Sequence, residues 1–252
     1  MTSLSKNLFN IENNNVIITG TSRGIGQTLA KGFLDSGANV FGLSRTNSEL
    51  LKKYPRFKHL EIDLMDKNKI SDLINDIGNK TQNINTLINC AGVSEPMEEY
   101  DLNRNSFKNT LDINLISVFY LSNEVVKFMK KEKYPSIINV TSIGSSLGFP
   151  SNPAYISSKA ALSGLTRSLA IDFSKYQIRV NNLVPGYFLT EMTRKSYEDE
   201  NKRQARSSRT VLSRWGDPKE LIGPAIFLAS EASSYMTGID LIVDGGWSIK
   251  GL

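Results

Sequence analysis

Short apolar or β-branched runs alternate along this chain with longer stretches of helical periodicity, and that rhythm limits the folds open to it. The runs are Val16–Thr19, Asn39–Leu43, Leu60–Ile62, Thr86–Asn89, Ile137–Val140, Arg179–Val184 and Asp240–Val243. Between them lie helical patterns such as Gly24–Ser36, Asp66–Lys80, Ser106–Lys131, Pro153–Tyr176 and Pro218–Leu228. Strands covered on both faces read as continuous apolar runs, and parallel neighbours need helical crossovers. The alternation therefore predicts an α/β fold, a doubly wound parallel sheet of about seven strands with helices on both faces. Asp217-Pro218 and Asn152-Pro153 predict helix starts, each through a capping side chain and a fixed φ. No repeat or linker interrupts the pattern, so residues 1–252 read as a single domain.

Composition removes several chemistries. A chain of 252 residues, 40% hydrophobic, buries enough surface to stand without disulfides or metals. Its one cysteine, Cys90, precludes an intramolecular disulfide, and with one histidine, His59, no multi-histidine or cysteine-rich metal site is expected. A Ser-His-Asp triad would have to recruit His59, which reads as a solvated residue at a strand edge. The net charge of +5 comes from 30 basic and 25 acidic residues without a long basic run, which argues against a nucleic-acid partner. Met1–Asn15 is polar and unlike a secretory signal, and no apolar run is long enough to span a bilayer. A cytoplasmic location without a membrane partner is expected.

The first run leads through Thr19-Gly20-Thr21-Ser22-Arg23-Gly24-Ile25-Gly26 into the first helical stretch. Glycine allows a tight turn and close approach of backbone to phosphate, and a helix N-terminus offers unpaired N–H groups to a pyrophosphate. A glycine triplet between a buried strand and an amphipathic helix predicts dinucleotide binding. Its spacing, G-x-x-x-G-x-G, is joined by Asn89-Cys90-Ala91-Gly92, Asn114, Ser142, Tyr155-Ile156-Ser157-Ser158-Lys159 and Pro185-Gly186. In order and spacing this series resembles the short-chain dehydrogenase/reductase family, from about Leu8 to Trp247. Cys90 departs from that family's usual second asparagine. The resemblance implies a Rossmann-type fold and an oxidoreductase acting on carbonyls or secondary alcohols.

It also implies positions for a nicotinamide cofactor. Gly20, Ser22, Arg23, Gly24, Ile25 and Gly26 would cradle its phosphates. Ser44 stands where NAD-using members carry an acid for the ribose 2′-hydroxyl, and Arg45 and Arg23 are nearby cations. Guanidinium groups suit a 2′-phosphate and a carboxylate would repel it, so NADP(H) is the expected cofactor. Asp63 and Leu64 are placed near the adenine, Asn89, Ala91 and Gly92 along its ribose, and Pro185, Gly186, Phe188 and Thr190 near the carboxamide.

Tyr155 and Lys159 lie four apart in a helical stretch, on nearly one face. A free phenol titrates near pH ~10, and an adjacent cation is expected to lower it toward neutrality. The resemblance makes Tyr155 the proton donor and acceptor. Lys159 also holds the nicotinamide ribose. Ser142 holds the substrate oxygen beside Tyr155, and Asn114 connects Lys159 to solvent through a water.

Leu189–Trp215 breaks the rhythm: it is rich in Arg, Lys and acidic residues, has no strong apolar stripe, and follows a strand's C-terminal end. Open α/β sheets bind ligands at that edge, so residues 189–215 are read as a substrate lid. Leu8-Phe9-Asn10-Ile11 and Val243-Asp244-Gly245-Gly246-Trp247 resemble members acting on gluconate and related sugar acids. A polyol or keto-sugar acid is therefore the favoured substrate, with lid arginines as candidate carboxylate partners. A 3-oxoacyl-thioester reductase shares the whole catalytic series, and a non-catalytic NADP(H)-binding regulator is the alternative of another class. The resemblance further implies a homotetramer.

Overall fold

The computed structural model describes residues 8–96, 104–130 and 132–250. Its first strand, β1 (Asn15–Thr19), shows why the apolar runs are continuous: Val16 and Ile18 enter one core while Ile17 enters another on the opposite face. The same division holds for Ile88 against Leu87 in β4 (Thr86–Asn89) and Ile138 against Ile137 in β5 (Ser136–Val140). Successive side chains alternate across a sheet, so a strand covered by helices on both faces needs apolar residues throughout.

The remaining strands are β2 (Asn39–Ser44), β3 (Phe57–Glu61), β6 (Arg179–Pro185) and β7 (Asp240–Val243). All pairings are parallel, in the order β3-β2-β1-β4-β5-β6-β7. The order reverses between β1 and β4, which opens a crevice at their carboxyl ends. One layer of helices includes α1 (Gly24–Asp35), with Leu29 and Phe33 facing the sheet. The other includes α2 (Lys67–Thr81), packed through Ile70, Ile74 and Ile77. The result is the predicted single-domain Rossmann-type sheet.

The sheet core also contains a polar series. Asn89 donates to Asn139 at 2.8 Å, Asn139 to Thr166 at 2.8 Å, Thr166 to Asn182 at 2.6 Å and Asn182 to Asp240 at 2.6 Å. Asn89, Asn139, Asn182 and Asp240 are successive register partners across β4, β5, β6 and β7.

Several expected elements are adjusted. Ser106–Lys131 is not one helix: α3 (Arg104–Leu111) passes into a π turn (Asp112–Ile116) and then α4 (Ser117–Met129), while Lys131 lies outside the described residues. Such bulges break the i→i−4 ladder and re-aim side chains. The predicted Pro153–Tyr176 helix ends earlier, as α5 (Pro153–Asp172), followed by a short 3₁₀ turn (Ser174–Tyr176). Asn152 does not cap α5; its amide donates instead to Ser94 Oγ at 2.7 Å. Asp217 does cap, with Glu220 completing a capping box on the 3₁₀ turn Pro218–Leu221 that precedes α8 (Ile222–Ala229). The third apolar run begins at Phe57 rather than Leu60, because Phe57 packs against the core.

The excursion 189–215 carries α6 (Arg194–Glu198) and α7 (Glu200–Arg209). Its two ends meet: Gly216 donates to Tyr187 O at 2.9 Å and Leu189 to Gly216 O at 3.3 Å. The excursion is anchored at this base, and Leu212 also donates to Gly245 O at 3.1 Å, which ties its far part to the chain after β7.

Candidate active site

The loop after β1 is built for close backbone approach. Gly20 has φ +76°, and a Cβ there would lie 2.9 Å from Ala91 Cα. A Cβ on Gly26 would lie 2.4 Å from Gly20 O. Thr19 Oγ1 accepts from the N–H groups of Cys90 and Ala91, both at 2.9 Å, which locks the loop to the turn after β4. At the start of α1, Arg23 is extended, no side chain caps the helix, and the first turn has no acid. The uncapped N–H groups and the partial positive charge of that helix end fit a phosphate. Gly24, at φ +61°, faces Thr190: a Cβ on it would meet Thr190 at 3.8 Å, an ordinary van der Waals contact. These residues therefore fit a dinucleotide.

At the end of β2, the Ser44 hydroxyl donates to Thr46 O at 2.8 Å and lies 3.2 Å from His59 Nε2. His59 is half-buried against this serine rather than solvated as its sequence position suggested. Arg45 and Arg23 are exposed, and neither forms an ion pair within 4.0 Å among the described residues. Asp63 is exposed with Oδ1 accepting from Met65 N at 3.0 Å, and Leu64 packs on the core. The Asn89 side chain turns into the sheet, so only its backbone and Ala91-Gly92 face the crevice edge.

Four of the predicted residues converge beyond β4 and β5. Lys159 Nζ donates to Val140 O at 2.8 Å, and the lysine is only 4% exposed. A Cβ placed on Gly92 would lie 3.6 Å from that Nζ and 3.3 Å from Asn114 Oδ1, so glycine leaves room for both groups. Asn114, delivered by the π turn and fully buried, donates to Val93 O at 2.9 Å and Ser158 Oγ at 3.0 Å while accepting from Val93 N at 2.9 Å. Ser142 is extended at the exit of β5, where Gly144 N donates to its Oγ at 3.1 Å. Tyr155 shares a side-chain hydrogen bond with Ser142, and Lys159 Nζ lies 5.7 Å from the Tyr155 ring centroid.

Burial decides the protonation of this group. It pushes the Tyr155 phenol above its ordinary value of 10.0, against the Ser142 hydrogen bond that favours the phenolate. The lowering expected from Lys159 is not found: burial dominates, and the Ser142 hydrogen bond is what opposes it. Burial also pulls the Lys159 ammonium down to about 8, with the Cys90 thiol acting in the opposite sense. The Cys90 thiol itself is pushed up to about 12, which keeps it protonated and unreactive.

On the substrate side, a Cβ on Gly186 would lie 2.7 Å from Asp244 Cα, which draws the end of β6 against the chain after β7. Phe188 is buried, and its carbonyl accepts from Thr193 Oγ1 at 2.6 Å. Thr193 Oγ1 also accepts from Thr190 N at 3.0 Å. Tyr187 and Phe149 are not singled out by the sequence, and Trp247 only as the end of Val243–Trp247, yet Phe149 and Trp247 pack on Tyr187, which acts on Tyr155. Tyr187 directly follows Pro185-Gly186, which was the available cue; Phe149 and Trp247 reach it only through the fold. Among the described residues no cluster of metal-ligating side chains occurs, and no helix is long and apolar enough to cross a membrane.

Comparison with known proteins agrees with this geometry. Residues 20–248 match a family model described as enoyl-(acyl carrier protein) reductase. The 2-dehydro-3-deoxy-D-gluconate 5-dehydrogenase of Dickeya dadantii is 33% identical, covering 96% of this chain and 98% of the relative. The gluconate 5-dehydrogenase of Gluconobacter oxydans is 34% identical, with the same two coverages of 96% and 98%. A crystal structure of a gluconate 5-dehydrogenase from Burkholderia cenocepacia, in complex with NADP and tartrate, superposes with a TM-score of 0.93 at 30% identity, covering 98% of this chain and 100% of that one. With the glycine loop, the Ser142–Tyr155–Lys159 group and the sheet order in place, these likenesses identify the chain as a member of the short-chain dehydrogenase/reductase family.

Proposed function

We propose that this chain is an NADP(H)-dependent oxidoreductase that interconverts a carbonyl and a secondary alcohol on a keto-sugar acid or polyol. The observation that carries the reading is the meeting of Ser142, Tyr155 and Lys159 beside a glycine loop shaped for a dinucleotide. Relatives named gluconate 5-dehydrogenase, and one crystallised with NADP, support the substrate class and cofactor.

Bound NADPH supplies the hydride, which is chemistry the cofactor brings. Gly20, Ser22, Gly24, Ile25 and Gly26 hold its phosphates, and Arg23, Ser44 and Arg45 hold the 2′-phosphate. Asp63, Leu64, Ala91 and Gly92 border the adenosine, and Lys159 holds the nicotinamide ribose. Pro185, Gly186, Phe188 and Thr190 fix the carboxamide. The Ser142 and Tyr155 hydroxyls fix the substrate oxygen, and Tyr155 donates its proton there in the reduction direction. Lys159, whose neighbour is Asn114, returns a proton to Tyr155. Residues 189–215 act as a lid that shields the site from water. The chain works in the cytoplasm as a homotetramer, assembled through α4, α5 and β7, whose Phe119, Ile171 and Ile242 are exposed.

Three measurements test the reading early. NADPH is expected to exceed NADH in kcat/KM by about tenfold or more, and Arg45→Glu to remove that preference by placing like charge at the 2′-phosphate. An NADH efficiency above that for NADPH in the wild type overturns the cofactor assignment. Because Lys159 loses its proton near pH 8, the kcat/KM for carbonyl reduction is expected to fall as pH rises through about 8. Alcohol oxidation, which releases a proton, rises over the same interval. A reduction profile flat from about pH 7 to about pH 9 removes Lys159 from the relay. The substrate panel contains keto-sugar acids, simple ketones and an acetoacetyl thioester; preference for the thioester would move the enzyme to acyl-chain reduction.

A further inference from the structure

Rings from distant parts of the chain meet around Tyr187. Tyr187 lies 5.3 Å from Trp215, 4.8 Å from Trp247 and 6.1 Å from Phe149, centroid to centroid. Both tryptophans are buried, and Tyr187 is close enough to Tyr155 to act electrostatically on its phenol. At the Tyr187–Trp215 part of this group stands a cation from α7: the Arg206 guanidinium lies 4.7 Å from the Tyr187 centroid and 5.8 Å from that of Trp215.

The other lid arginines are differently engaged. Arg194 pairs with Glu191 at 2.5 Å, Arg203 with Glu200, and Arg214 with Glu220 at 2.7 Å. Arg209 is exposed, over Trp247 at 5.1 Å. Arg206 forms no ion pair among the described residues, and its buried Nη1 has no hydrogen-bond partner there. A buried donor without an acceptor is unfavourable, and the faces of Tyr187 and Trp215 compensate the charge without satisfying the N–H groups. The partner that satisfies both is a planar anion able to accept from the guanidinium fork. Tyr187 joins this cation to the reacting end of the site, because the same ring neighbours Tyr155 and Arg206.

We propose that Arg206 binds the carboxylate of the substrate, at the end remote from the carbonyl held by Ser142 and Tyr155, and so selects acids over neutral ketoses. The proposal deepens the oxidoreductase reading and rests on it for the position of the carbonyl. Arg206→Met keeps an apolar stem over Tyr187 while removing the charge and the fork.

Calorimetric titration of the NADPH-loaded protein with gluconate and with glucitol, its uncharged counterpart, tests the proposal without turnover. The wild type is expected to prefer gluconate by about tenfold or more, and Arg206→Met to weaken gluconate by at least about tenfold while leaving glucitol within about twofold. Arg206→Lys is expected to recover part of the loss. In steady-state reduction of a keto-gluconate, the same substitution raises KM by a similar factor with little change in kcat. Unchanged gluconate binding in Arg206→Met overturns the proposal, as does an equal loss of gluconate and glucitol, or a wild type with no preference for the acid. Arg206-dependent gluconate binding without turnover of any keto acid would sink the oxidoreductase reading and leave the carboxylate site standing.

Discussion

Replacing Tyr155 with Phe is expected to lower kcat for NADPH-linked carbonyl reduction by about a thousandfold or more. The ring remains, so its neighbourhood with the Lys159 ammonium, 5.7 Å from the centroid, is kept. What disappears is the hydroxyl that shares a hydrogen bond with Ser142 and that we propose as the proton donor. Ser142 cannot take over, because no basic group accompanies it to restore a proton; Lys159 Nζ is directed to Val140 O at 2.8 Å. NADPH affinity, measured by calorimetry, should stay within about twofold of the wild type, since the phosphate cradle is untouched. A kcat reduced by less than about tenfold would take Tyr155 out of the proton transfer.

The second large effect is on stability. Arg179 opens β6 at the amino end of the sheet and is 6% exposed. Its Nη1 donates to Leu228 O at 3.0 Å and to Ser233 O and Oγ at 3.1 and 2.7 Å; its Nη2 donates to Ser230 O at 3.3 Å and Tyr134 O at 3.4 Å. One guanidinium thus gathers carbonyls from the end of α8, the turn after it and the loop before β5. Burial draws Arg179 down to about 10, so it stays charged at neutral pH and complements the negative helix terminus. Arg179→Met fills the space with apolar atoms and removes the charged donor; Leu228 O, Ser230 O and Ser233 O keep Ser136 Oγ, Ser233 N and Met236 N, while Tyr134 O loses its bond. The expected cost is about 2–4 kcal/mol, and at about 2–4 °C per kcal/mol the Tm should fall by about 10 °C. The site lies at the opposite, carboxyl end of the sheet, so kcat measured well below the transition should change little. A Tm within about 2 °C of the wild type would show that the donors already on these carbonyls suffice.

The fold was legible because parallel strands covered on both faces leave a simple pattern. Ile17 and Ile18 serve opposite cores, and both must be apolar. The glycine loop was legible because Gly20 and Gly26 occupy places where a Cβ meets backbone. Tyr155 and Lys159 announced themselves by helical spacing. Less was readable where a residue's partner is far away in sequence. Asn114 looked like a mid-helix asparagine, but the π turn that redirects it depends on packing that periodicity does not encode. Asn152 preceded a proline like a cap, yet Ser94, distant in the chain, competes successfully for its amide. The arginines of residues 189–215 were indistinguishable as a string of charges. Only the fold separates Arg203, paired with its neighbour Glu200, from Arg206 over two aromatic rings. The phenol of Tyr155 had been expected to acidify beside Lys159, an inference that omitted the desolvation of both groups.

The amides inside the sheet bear on how sharply the chemistry is aimed. Asn89, Asn139 and Asn182 sit at one height in adjacent strands, and three residues beyond them come Gly92, Ser142 and Pro185. Apolar neighbours tolerate sliding past one another, whereas a side-chain amide bonded to the next strand does not. A slip of one residue would displace a loop by about 3.3 Å, and errors of about 1 Å already cost enzymes most of their rate. The buried asparagines therefore act as a levelling mark for the loops above them, so that the alignment of Ser142 with Gly92 is set inside the sheet before any ligand arrives.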